Sequence, residues 1–73
     1  MPHVTVKMYP GCTQEQKNKL AQEINNAIMV IAQKPEAAIS IAIEEVQEAE
    51  WMDKVYETEI RPNMEKLYKQ PGY

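Results

Sequence analysis

A single cysteine in 73 residues, Cys12, excludes any intrachain disulfide. With no C-x-x-C partner it fits a reducing compartment. Paired short spacings of histidine and cysteine are missing too, since His3 is the only histidine, so no structural metal is expected. No apolar run approaches the ~20 residues that span a bilayer, and no charged segment leads into an apolar one at the N-terminus. A cytoplasmic protein without a membrane role is therefore expected. Cations are also scarce: eight Lys and Arg stand against eleven Asp and Glu, for a net charge of -3. Nucleic acid rewards clustered Lys and Arg, so it is not an expected partner. No repeat or linker-like stretch divides residues 1–73, which read as one domain. At this size a single core buries only ~60% of the unfolded chain's surface. With disulfides and metal excluded, self-association is the remaining support, and a homo-oligomer, a dimer in the first instance, is expected. A small soluble ligand or a protein partner suits such a chain better.

The patterns that are present describe a βαβ unit with a helical tail, an α/β (α+β) fold. Residues 2–8, "PHVTVKM", alternate Val4, Val6 and Met8 with His3, Thr5 and Lys7, the period of a half-buried strand. After the turn "YPGCT", Thr13 and Gln16 make the T-x-x-Q box of a helix start. Leu20, Ile24, Ala27, Ile28 and Ile31 follow at spacings of three and four, giving an amphipathic helix ending near Gln33, with Pro35 beyond it. Residues 37–46 put Ile39, Ile41 and Ile43 on one strand face and Ala38, Ser40 and Ala42 on the other. Strand, helix and strand predict a parallel pair. Two strands alone are marginal, so dimerisation is expected to complete the sheet. In residues 51–68, Trp51, Val55, Ile60, Met64, Leu67 and Tyr68 keep helical spacing. Pro62 predicts two short helices or one kinked helix.

The chemistry begins at Pro2. While Met1 is attached, its nitrogen is an imide with no basic lone pair and no N–H for a sheet. Removal of Met1, usual before so small a residue, leaves a secondary amine. An α-amine titrates near 8, and desolvation on an apolar strand lowers that toward the range of a working general base. Proline at a strand start also has a plain structural reading.

The stretch "PHVTVKMYPGCTQEQKNKLAQEI", the βαβ pattern and "SIAIEEV" leading into Trp51 together resemble the 4-oxalocrotonate tautomerase family. The similarity runs without gaps from Pro2 to about Trp51, and the longer tail ending "KQPGY" is similar to its bacterial PptA-type subgroup. The resemblance implies a cofactor-independent enol–keto isomerase. Pro2 would take a proton from a 2-oxo acid's enol and return it at the far end of the conjugated system. It also implies a departure: the two substrate-binding arginines of the family's best-known members fall here on Cys12 and Ser40. Neither replaces a guanidinium fork, which disfavours a dicarboxylate substrate. The family's aromatic pocket residue corresponds to Trp51, whose face suits a phenyl ring, so a phenylpyruvate-like aromatic 2-oxo acid is the implied substrate.

Four residues are therefore substrate-binding candidates beside Pro2. Trp51 also reads as the core anchor of the tail. Ser40 offers a hydroxyl where the family has an arginine, or merely room for a partner strand. Arg61, the only arginine, supplies the missing positive charge or is a solvated group before Pro62. His3 relays a proton, donates to substrate or is structural. Lys7 points to a subunit contact or solvent, or is the cation that lowers the Pro2 pKa. Cys12 lacks a matched base for nucleophilic use, and Glu44, Glu45, Glu48 and Glu50 form a solvated edge rather than a metal site. A non-catalytic binding dimer on the same fold is the alternative these residues leave open.

Overall fold

A computed structural model describes residues 1–73. Strand β1 (His3–Met8) and strand β2 (Ser40–Glu45) form a two-stranded parallel sheet. His3 lies opposite Ser40, Val4 opposite Ile41 and Val6 opposite Ile43. Residues directly opposite share a face, so the Val4/Val6/Ile41/Ile43 side is apolar and the His3/Thr5/Ser40 side is polar. The apolar side faces helix α1 (Gln14–Ile31): Ala21 borders the same groove as Ile41 and Ile43. Lys17 and Glu45 bridge helix and strand at 3.5 Å.

Local chemistry sets each boundary. Gly11 turns the chain at φ 138°, a conformation that a Cβ would strain. The Thr13 hydroxyl then accepts from the Gln16 N–H at 3.1 Å while the Gln16 side chain accepts from the Thr13 N–H at 2.8 Å. Both bonds satisfy donors that a helix start leaves free. Replacing Thr13 with Ala should lower stability by about 1 kcal/mol, checked by the shift of the urea unfolding midpoint at unchanged m-value. The helix stops at Ile31, two residues before the expected Gln33, because Gln33 turns left-handed at φ 56°. Residues 36–38 make a short 3-10 turn, so β2 starts at Ser40 rather than near residue 37.

Helix α2 (Glu48–Trp51) runs directly into a wider π-helical stretch, Met52–Ile60, where the Arg61 N–H reaches the Tyr56 carbonyl five residues back. A 3-10 turn, Arg61–Lys66, follows, with Asn63 off helical geometry at φ -117°. Pro62, lacking an N–H, forces this change of winding, which is the kink the sequence predicts. The π register itself has no signal in the spacing of apolar residues.

One chain leaves much of its apolar side-chain surface only partly covered. Val55 alone is buried, while Val30 and Ile31 at the end of α1 are 76% and 81% exposed. The accessible surface is 5783 Å², against ~4,600 Å² for a compact chain of this mass. The radius of gyration is 13.8 Å, against ~11 Å for a compact domain of this length. An excess of about 1,200 Å² per chain is the area of a stable subunit interface. No helix is long and apolar enough to cross a membrane.

Candidate active site

Parallel pairing builds one cluster at the start of β1. The Ser40 N–H donates to the Pro2 carbonyl at 3.1 Å, which holds a half-buried Pro2 at the end of the sheet. On the polar face, register brings His3 Nδ1 to 2.6 Å from Ser40 Oγ, and His3 Nε2 lies 3.3 Å from Thr5 Oγ1. Two proton arrangements satisfy this string. With the proton on Nδ1, Thr5 donates to Nε2, Nδ1–H donates to Ser40, and the Ser40 hydroxyl hydrogen is free for a ligand. With the proton on Nε2, Ser40 spends its hydrogen on His3. The string is exposed, so a ligand oxygen can select the first arrangement.

Trp51 stands at the opposite end. Its indole meets the Tyr9 ring edge-on at 5.2 Å and 89°, and its Nε1–H donates to the Tyr73 hydroxyl at 2.9 Å. Tyr9 follows the last residue of β1, whereas Pro2 precedes the first. Six strand residues therefore separate Pro2 from the Trp51 cluster by about 20 Å within one chain. A single chain brings together Pro2, His3 and Ser40, but not Trp51.

The two basic candidates are already paired. Arg61 Nε donates to Glu57 at 2.8 Å, a second guanidinium nitrogen contacts the same carboxylate, and this hydrogen bond holds the Arg61 pKa above its ordinary value. Lys7 donates to Glu59, with Glu44 at 4.0 Å, and the Glu59 hydrogen bond raises its pKa from the ordinary 10.5. The contact ties the tail to β1 and persists until pH rises through that elevated value, where the lysine loses its charge. Of the acidic residues read as a solvated edge, Glu45 and Glu50 pair with Lys17 and Lys54. No three His, Cys, Asp or Glu side chains converge as a metal would require. Cys12 is half-buried in the turn before α1.

Tyr9, Thr5, Glu59 and Tyr73 are the site neighbours that sequence reasoning missed. Thr5 was legible as a strand residue two from His3 on the same face, and Tyr9 as the first residue of a turn. Tyr73 gave no signal, because "QPGY" reads only as a closing turn.

A family model described as tautomerase enzyme matches residues 2–55. The chain is 38% identical to tautomerase PptA of Cronobacter sakazakii and 40% identical to tautomerase PptA of Klebsiella pneumoniae. Each match covers the whole chain and 97% of the relative. Among solved structures it resembles YwhB, described as a homologue of 4-oxalocrotonate tautomerase. The TM-score is 0.63 at 38% identity, over 64% of this chain and 77% of that one.

Proposed function

The chain belongs to the tautomerase family of enzymes, and from that premise we propose that it isomerises the enol and keto forms of an aromatic 2-oxo acid of the phenylpyruvate type, without a cofactor, through the free amine of Pro2. One observation carries this reading: the family match opens on Pro2, at the half-buried sheet end where Ser40 holds the Pro2 carbonyl and His3 stands beside it.

Removal of Met1 converts the Pro2 imide to an amine. That nitrogen takes the enol O–H proton, the oxygen's electron pair forms the carbonyl, and the resulting ammonium returns the proton to the adjacent carbon. One proton changes position and nothing is oxidised. The amine must be neutral at the start, so the ketonisation rate falls as pH drops through its pKa. Charge develops on the enolate oxygen midway. The Thr5–His3–Ser40 string offers it a hydroxyl hydrogen at the Pro2 end of the sheet. Ser40→Ala should then lower kcat about tenfold with little change in KM, less than the ~10²–10³ of a water-excluded oxyanion hole because this face is exposed. Steady-state kinetics on the enol would check it, and a change confined to KM would assign Ser40 to ground-state binding instead.

Assembly completes the site. Two chains related by a two-fold axis, with their strands running oppositely, bring Pro2 of each toward the Trp51 cluster of the other. The same contact accounts for the excess surface and extends the sheet. The lone Cys12 thiol, unpaired in the structure, suits a reducing cytoplasmic location. The test is ketonisation of the enol of phenylpyruvate, followed by loss of its ultraviolet absorbance, using protein shown by intact mass to lack Met1. Acceleration over buffer supports the reading. A rate equal to buffer removes it and favours a binding dimer on the same fold.

A further inference from the structure

The tail of the chain returns to Trp51 and builds a second wall there. Gln70 Nε2 donates to the Met64 carbonyl at 2.9 Å, fixing the path of the last residues. Tyr73 then packs on Tyr56 with ring centroids 5.7 Å apart and accepts the Trp51 indole N–H. Lys7, Met8, Tyr9, Trp51 and Tyr73 line an open recess of about 410 Å³, within the size range of small-molecule sites. Tyr9 and Tyr73 remain 45% and 61% exposed, so both present ring surface to it.

We propose that Tyr73 is a specificity-determining residue: with Tyr9 and Trp51 it forms an aromatic-walled recess that binds the ring of an aromatic carboxylic acid and selects it over an aliphatic one. Three features of the lining define the occupant. Aromatic faces reward a flat ring placed edge-on or offset against them. The one indole donor is satisfied by Tyr73, so Trp51 asks for no acceptor from the ring. Three such faces would also suit an organic cation, but the Lys7 ammonium in the lining opposes one. The same ammonium, which also contacts Glu59, meets the carboxylate of an aromatic and of an aliphatic acid alike. The ring therefore carries the selectivity between the two acids.

The inference rests on the proposed reaction only for what the ring belongs to, and its test does not pass through Pro2. Trp51 is the only tryptophan, so its fluorescence reports occupancy directly. The full chain, as wild type, Tyr73→Phe and Tyr73→Ala, is titrated with 3-phenylpropionate and with hexanoate, neither of which can tautomerise. Wild type should bind the aromatic acid about tenfold more tightly than the aliphatic one, as stacking on added ring surface predicts. Tyr73→Ala should lose that preference, its affinity for 3-phenylpropionate falling by more than its affinity for hexanoate. Tyr73→Phe, which keeps the ring and drops the indole contact, should retain most of the preference. Equal preference in all three proteins, or no binding by wild type, overturns the proposal. Selective binding with no ketonisation would defeat the Pro2 mechanism and leave the recess standing. Ketonisation whose aromatic preference is untouched by Tyr73→Ala would do the reverse.

Discussion

Protein that retains Met1 is expected to ketonise the enol of phenylpyruvate about 10²–10⁴ times more slowly than protein without it, the range a positioned general base contributes. The reason is the state of one nitrogen. Joined to Met1, Pro2 has its lone pair delocalised into a carbonyl and cannot hold a proton. Free, it is an amine at a strand end whose backbone Ser40 already holds. Pro2→Ala is the milder control, because processing leaves an N-terminal alanine whose primary amine has similar basicity at a looser position. A loss of about 10²-fold is expected there. Intact mass and single-turnover rates on the three proteins would check both numbers. Equal rates in all three would show that the nitrogen is not the base.

Mixing two impaired variants is expected to give activity well above that of either alone. Pro2→Ala keeps only a loosely placed primary amine and Trp51→Ala lacks the aromatic wall. The six-residue length of β1 keeps those two residues about 20 Å apart in one chain. If each site joins Pro2 of one chain to Trp51 of its partner, a mixed dimer contains one intact site and one doubly defective site. Random reassociation makes half the dimers mixed, so about a quarter of all sites should recover. The measurement is kcat/KM after co-refolding equal amounts of the two variants, compared with each refolded alone. No recovery would mean that the site is assembled without a Trp51 from the other chain. If unfolding also separates two partners, the wild-type thermal midpoint should rise with protein concentration.

Much of this architecture was legible in the residue order. Alternation at Val4, Val6 and Met8 marked β1, Thr13 with Gln16 marked the start of α1, and Ile41 and Ile43 identified the strand face toward α1. These signals are short-range. Strand and helix periods follow from backbone geometry, and a capping box closes within four residues. Pro62 announced a change of winding for the same reason, although the π register before it depends on how the tail packs. The resemblance carried by the first fifty residues named the family, which the match over residues 2–55 bears out.

Residue order alone thus determined the strand–helix–strand unit, the place of a potential amine base and the lack of arginine at Cys12 and Ser40. Tertiary structure decided which of these residues can meet. Parallel register placed His3 on Ser40, and the returning tail placed Tyr73 on Trp51, pairs separated by 37 and 22 positions. It also turned Lys7 to Glu59, 52 positions away, whereas Arg61 meets Glu57 four residues back, a local pair along the tail. Local periodicity shows which face a side chain takes, but not what stands across from it. That depends on the loops and on the crossing of elements, where small differences in backbone path select the partner.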